Sequence, residues 1–289
     1  MISTLLIALR EGLEAALIVG ILAGALHGSG RSIRPVQIGV SVAVLSSLLF
    51  GAILFTTARE LPSAAEEAFV GIASLLAVGL VTWMVFWMRN NARTLKSDLS
   101  QRLDLAISPF AVAAIAFFSV IREGIETSLF IFSTFKSIAS NTLPTIGLVL
   151  GFAIAITLGF AIYKQSYRVD IAKFFKWTSV ALIVVASGVL SYGIAELEGA
   201  FGLTTPTAFD FSSVIAEQSV VGHLLAGLLS ITPTMSIAAL TVYVLYLAGA
   251  LMLLLRRPTQ RIKSEAPTLR SEEHTSELQS PYVISYAVF

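Results

Sequence analysis

Apolar residues in this chain fall into long unbroken blocks, not the short alternations of a soluble fold. Six stretches are free or nearly free of charge over about the 20 residues a helix needs to cross hydrocarbon. They run about 36–57, 67–88, 106–135, 144–163, 174–195 and 236–255. A seventh, about 2–27, is apolar apart from Arg10, Glu11 and Glu14. It lacks the basic start of a cleaved leader and is read as a retained first helix. Pro35, Pro62, Pro109, Pro144 and Pro258 lie at or near segment ends, where a residue without an amide donor is tolerated. Residues 214–231 are apolar enough to pass as an eighth span and are read instead as an external amphipathic or re-entrant helix.

The Lys/Arg pattern orients these segments. One set of connections carries Arg31 and Arg34, then Arg89, Arg93, Lys96 and Arg102, then Lys164, Arg168, Lys173 and Lys176; Arg256, Arg257, Arg261 and Lys263 follow the last segment. The alternate connections hold only Arg59 and Lys136. The reading is an all-α integral membrane protein with seven transmembrane helices, N-terminus outside and C-terminus cytoplasmic. Crossing at 214–231 would put Arg256 and Arg257 outside, against this bias. Trp83, Trp87 and Trp177 fall at the cytoplasmic helix ends, as an aromatic belt would. From about Arg270 the chain turns abruptly polar and then ends in an aromatic run. Residues 270–289, His274 included, read as non-native and carry no functional weight.

Composition narrows the chemistry. Of 289 residues 56 % are hydrophobic and 13 % charged, with a mean hydropathy of +0.84; a soluble domain carries about 25 % charge. Nineteen basic residues against 18 acidic leave no surplus for phosphate neutralisation, so no nucleic-acid partner is expected. With no cysteine, thiolate metal sites, iron–sulfur clusters and cysteine nucleophiles are excluded.

Two pentapeptides stand against the apolar background: Arg10-Glu11-Gly12-Leu13-Glu14 in the first segment and Arg122-Glu123-Gly124-Ile125-Glu126 in the fourth. Glutamates three apart share a helix face, and each arginine reaches the second glutamate four residues on. A charge at mid-bilayer costs at least ~2.5 kcal/mol, so these six groups must face one another, water or a cation. Two arginines cannot pair four carboxylates. Glu11, Glu14, Glu123 and Glu126 are therefore the expected metal ligands, with Arg10 and Arg122 holding Glu14 and Glu126 in place. Gly12 and Gly124 would let a neighbouring backbone approach. Gly12, Ala16, Gly20, Gly24 and Gly28 form a small-residue stripe that reads as a packing seam.

The first segment runs inward and the fourth outward, so the two copies are antiparallel. That is a 3+3 inverted-topology repeat plus one helix, an arrangement that commonly places its substrate at the midplane. Carboxylates without thiolates or a histidine cluster favour hard cations; the only other histidines are His27 and His223. Chemistry alone leaves Fe³⁺, Fe²⁺, Mn²⁺, Ca²⁺ and Mg²⁺ open.

The doubled Arg-Glu-Gly-x-Glu pattern resembles the oxidase-dependent iron permease family, which includes fungal high-affinity iron permeases and bacterial ferrous-iron permeases. Tyr192-Gly193-Ile194-Ala195-Glu196-Leu197-Glu198, Asp210-Phe211-Ser212, Glu217, Gly222, Pro233 and Tyr243-Val-Leu-Tyr246 continue the likeness. The resemblance implies an iron-permease transmembrane domain over 1–257, followed by a cytoplasmic tail, 258–289. Within it repeat 1 covers about 1–88, repeat 2 about 106–197, an external loop about 196–235 and the last helix 236–255. It also implies iron as substrate with no permanently bound cofactor, Glu196, Glu198, Asp210 and Glu217 as entry-side ligands, and a multi-pass place in the plasma membrane, the bacterial inner membrane. A partner oxidase, or a periplasmic or extracellular iron-handling protein, would supply the redox step, and the chain itself would not be an enzyme. The rival readings are a transporter of another hard divalent cation such as Mn²⁺, a metal sensor, and a membrane-embedded oxidase. The last lacks the Glu-x-x-His motifs of di-iron bundles.

Overall fold

The computed structural model describes residues 1–91, 95–106, 108–137, 142–163, 171–203, 205–211 and 234–256. Among them are eight helices: α1 (Ile2–Gly28), α2 (Arg34–Glu60), α3 (Ser63–Asn91), α4 (Leu95–Leu105), α5 (Pro109–Lys136), α6 (Thr142–Tyr163), α7 (Ile171–Ala200) and α8 (Ile237–Leu255). Two short antiparallel strands, β1 (Thr207–Asp210) and β2 (Thr234–Ser236), pair before α8. The hydropathy pattern anticipated seven of the helices. It missed α4 and the strand pair, which are too short and polar to register as blocks. The 214–231 segment, Glu217, His223 and everything from 257 onward lie outside the described residues.

Local signals account for the helix starts. Pro35 and Pro109 occupy first turns, where no intrahelical amide bond is lost. Ser108 and Ser236 cap α5 and α8, their hydroxyls accepting from Ala111 N and Ala239 N at 3.1 Å each.

Five helices (α2, α3, α6, α7 and α8) contain apolar stretches long enough to cross a bilayer. α1 and α5 are as long, at 27 and 28 residues, and carry the charged pentapeptides. The outward side chains of α2 and α6 are apolar and exposed, Leu45, Leu48, Leu49, Val149 and Ile156 among them. Only a lipid solvent makes such a surface stable. The protein is an all-α integral membrane protein.

The helices pack in three principal pairs, α1 on α6, α2 on α5 and α3 on α7, with α8 against α7. Small residues bring the first two pairs into close contact. A Cβ on Gly12 would lie 2.8 Å from Ala155 Cβ, and one on Gly159 would lie 2.5 Å from Ala16 Cβ. On the other pair, a Cβ on Gly124 would lie 2.6 Å from Ser47 Cβ and one on Gly51 3.5 Å from Ser128 Oγ. The α1 stripe is shorter than its spacing suggested. Tyr163 ends α6, and Gly24 and Gly28, beyond it, have nothing within 4 Å of an added Cβ.

The two ends of the bundle differ. At one end Arg31 holds α4 by its C-terminal carbonyls, Nη2 donating to Ala106 O at 2.7 Å and Nη1 to Leu103 O at 3.4 Å. Arg89 likewise donates to Leu253 O and Arg256 O at the end of α8. At the other end Lys136 pairs with Glu66 at 2.5 Å, and the β1–β2 ladder lies beside α8.

Candidate metal centre

The pentapeptides sit mid-helix in α1 and α5, and the fold buries them together. Glu11, Glu14, Glu123 and Glu126 are each 5 % exposed or less, and Arg10 is wholly buried. Burying six ionisable groups in a bilayer would cost about 15 kcal/mol on the insertion scale if all faced lipid. Here they face one another. Arg10 Nε donates to Glu14 Oε1 at 3.1 Å and Arg122 Nε to Glu126 Oε1 at 3.0 Å, the same i,i+4 bridge in both helices. Two guanidiniums against four carboxylates leave the cluster short of positive charge.

Three carboxylates converge. One oxygen each from Glu11, Glu123 and Glu126 lie within 4.8 Å of one another, the only such metal-holding group of acidic or histidine side chains among the described residues. Among the described residues both Glu11 oxygens, Glu123 Oε2 and Glu126 Oε2 are buried without a protein donor, and Arg10 Nη1 and Arg122 Nη2 are buried without an acceptor. Buried polar groups are ordinarily satisfied, and a cluster of such oxygens points to a ligand that supplies positive charge. Glu14 is the exception among the four predicted ligands. Its carboxylate is engaged by Arg10 and stands beside the trio instead of completing it.

The cluster adjoins a cavity of about 360 Å³ that reaches from Glu14, Arg122 and Glu123 to Asp98 and Arg102 on α4, with Trp87 and Met88 in its wall. Arg122 is 30 % exposed there, its guanidinium 4.9 Å from the Trp83 ring centre and 5.2 Å from that of Trp87. These cation–π contacts supplement the Glu126 bridge. Arg10, by contrast, places Nη2 3.6 Å from the buried Met84 Sδ. Position at a helix end read Trp83 and Trp87 as belt. The four-residue step from Trp83 to Trp87 was the available signal for a pair of rings on one side of α3 that clamps Arg122, masked by their place at a helix end.

The entry-side candidates are dispersed. Glu198 accepts from Ser236 Oγ at 2.7 Å and from Thr205 Oγ1, tying the end of α7 to β2. Glu196 lies among Tyr192, Lys136, Glu66 and Glu67, and Asp210 is exposed on β1. Among the described residues they form no carboxylate cluster.

The sequence comparisons agree with this architecture. Residues 1–259 match the model of the Iron permease FTR1 family. The chain is 37 % identical over 256 residues to the ferrous iron permease EfeU of Escherichia coli O157:H7, covering 86 % of this chain and 92 % of that one. To the Yersinia pestis ferrous iron permease EfeU it is 36 % identical over 262 residues, 88 % and 93 % of the two chains. No solved structure gives a significant match. A multi-pass membrane protein, a permease and not an enzyme, this chain belongs to the iron permease FTR1 family.

Proposed function

We propose that this protein carries ferrous iron across the plasma membrane through a midplane cage of Glu11, Glu123 and Glu126, with Glu14 beside it on the route out. The observation that carries the proposal is the convergence of three buried carboxylates that keep four oxygens (both of Glu11, Oε2 of Glu123 and Oε2 of Glu126) without a protein donor among the described residues. The oxygen-only donor set suits a hard or borderline cation, and the relatives' names supply iron. Oxidation or reduction of the cargo would fall to a partner protein, since the chain has no cysteine and no clustered histidine.

The same reading includes seven spans and an inverted repeat of α1–α3 and α5–α7. Its support is the packing. Gly12 against Ala155 and Ala16 against Gly159 are matched, position for position, by Gly124 against Ser47 and Ser128 against Gly51. The third helices, α3 and α7, pair with each other. In this reading the Arg31, Arg89 and α4 end is cytoplasmic, because the basic connections gather there.

The test is uptake of radiolabelled ferrous iron into proteoliposomes by the parent and by Glu123→Gln, which keeps shape and removes charge. We expect apparent affinity to fall by at least ~100-fold, beyond what loss of a supporting partner produces. Near-parental uptake would remove the cage from the model. Competition by Mn²⁺ as strong as by unlabelled iron would favour a general divalent-cation carrier.

A further inference from the structure

We propose that Ile7 and Phe130 form the outer gate of this permease, and that Ile18 and Ser119 close the cytoplasmic mouth in the opposite state. The proposal rests on the transport reading above and adds the route by which the cage is reached. α1 and α5 run past each other in a constant antiparallel register. At the β-ladder end Ser3 and Thr134 line one pocket of about 90 Å³. Further in, Glu11 and Glu126 share the carboxylate trio. Beyond it Glu14 with Glu123, then Ile18 with Ser119, line the large α4-side cavity. Each step along one helix equals the step along the other, so Ile7 and Phe130 stand at one level, four residues from the pocket and four from the trio.

That level is closed. Ile7 and Phe130 are each 1 % exposed and belong to the central hydrophobic cluster with Leu182, Val185 and Val189. A bare or hydrated cation cannot pass a dry apolar layer. The pocket outside it is hydroxyl-lined by Ser3, Thr134, Ser137, Ser191, Tyr192 and Ser236. Ser3 Oγ and Thr134 Oγ1 are buried there without hydrogen-bond partners among the described residues. It is an oxygen-bearing port on the far side of the plug from the cage.

The two pentapeptides supply the second half of the inference. Superposing one on the other carries Ile7 onto Ser119 and Phe130 onto Ile18. The first pair closes the outer side, whereas its counterpart flanks an open cavity. One chain thus holds the same level in its closed form at one end and its open form at the other. Exchange of the two forms moves access from the α4 side to the hydroxyl pocket, the alternation expected of inverted repeats.

The chain contains no cysteine, so thiol probes need no background removal. Ile7→Cys and Ser119→Cys, each in the full chain in iron-free liposomes with both faces accessible, are treated with a membrane-impermeant maleimide. Ser119→Cys should react, and Ile7→Cys should react at least about tenfold more slowly, since the plug must open first. Equal rates overturn the outer gate. Ile18→Cys with Ser119→Cys is then treated with a short bis-methanethiosulfonate during ferrous iron flux. Bridging should arrest flux, and dithiothreitol should restore it; absence of bridging, or undiminished flux through bridged protein, overturns the inner gate. The labelling comparison requires no cargo. A parent without iron flux would therefore defeat the transport reading while the maleimide rates still decide the plug.

Discussion

Gly12→Ala tests the helix seam that supports the carboxylates. An alanine Cβ at this position would stand 2.8 Å from Ala155 Cβ and 3.0 Å from Phe152 Cδ1. Both are nearly 1 Å inside the ordinary carbon–carbon separation of about 3.5–4.0 Å. The Ala155 methyl is fixed to its backbone, so α1 and α6 must part and Phe152 must shift as well; overpacking of that kind costs about 1–3 kcal/mol. Gly24→Ala, in the same stripe with nothing within 4 Å, should be stabilising by about 0.5–1 kcal/mol from helix propensity alone. The assay is the thermal midpoint of purified protein in one detergent, where each kcal/mol is worth about 2–4 °C for chains of 150–250 residues and somewhat less here. Gly12→Ala should lower the midpoint and Gly24→Ala should hold or raise it. Combining Gly12→Ala with Ala155→Gly moves the methyl from α6 to α1, and the pair should recover at least about 1 kcal/mol relative to the sum of the single changes. Equal midpoints for the two glycine variants, or strict additivity in the pair, would refute the close approach.

Other outcomes follow from the same geometry. Arg10→Lys should reduce iron uptake more than Arg122→Lys at matched expression. Arg10 is wholly buried against Glu14 and Met84, whereas Arg122 faces the cavity; equal losses would contradict the difference in environment. Arg31→Ala should free the C-terminus of α4 at a cost of about 1–3 kcal/mol for two charged hydrogen bonds. Limited proteolysis should then cut α4 faster, and an unchanged pattern would show that other contacts hold it. Lys136→Met should shift the thermal midpoint by less than ~1 kcal/mol equivalent, because its ion pair with Glu66 is partly exposed and screened.

Much of this was legible before any coordinates because the bilayer makes composition speak loudly. Five blocks nearly free of charge and two with an embedded motif became seven long helices, since nothing else satisfies backbone polar groups in lipid. The pentapeptides were legible for the same reason: in an apolar solvent a charge without a use is expensive. What stayed hidden depends on residues distant in sequence. Spacing put Glu11 and Glu14 on one face equally, and only the placement of α5 distinguished the ligand in the trio from the one held by Arg10. The stripe from Gly12 to Gly28 was uniform in sequence, yet its contact ends where α6 ends. Arg102 was counted as loop charge, and its place in the cavity wall beside Asp98 depends on α4, which carries no hydropathy signal.

The unequal surroundings of the two arginines carry one further step. Arg10 and Arg122 make the same bridge to the same glutamate position, so the local sequence treats them alike. Their environments nevertheless diverge, one sealed against Met84, the other stacked by Trp83 and Trp87 at the mouth of a cavity. A purely structural ion pair would gain nothing from that divergence, since desolvating one and hydrating the other only unbalances their energies. A carrier with two antiparallel copies must have it, because at any moment one copy is closed to water while the other is open. In that reading the tryptophan clamp steadies Arg122 while its side of the cage is wet, and the bridge to Glu126 persists through the exchange. Replacing Trp83 and Trp87 together with leucine should then slow flux without weakening equilibrium iron binding to the cage. Loss of binding in step with flux would instead make the clamp part of the cage itself.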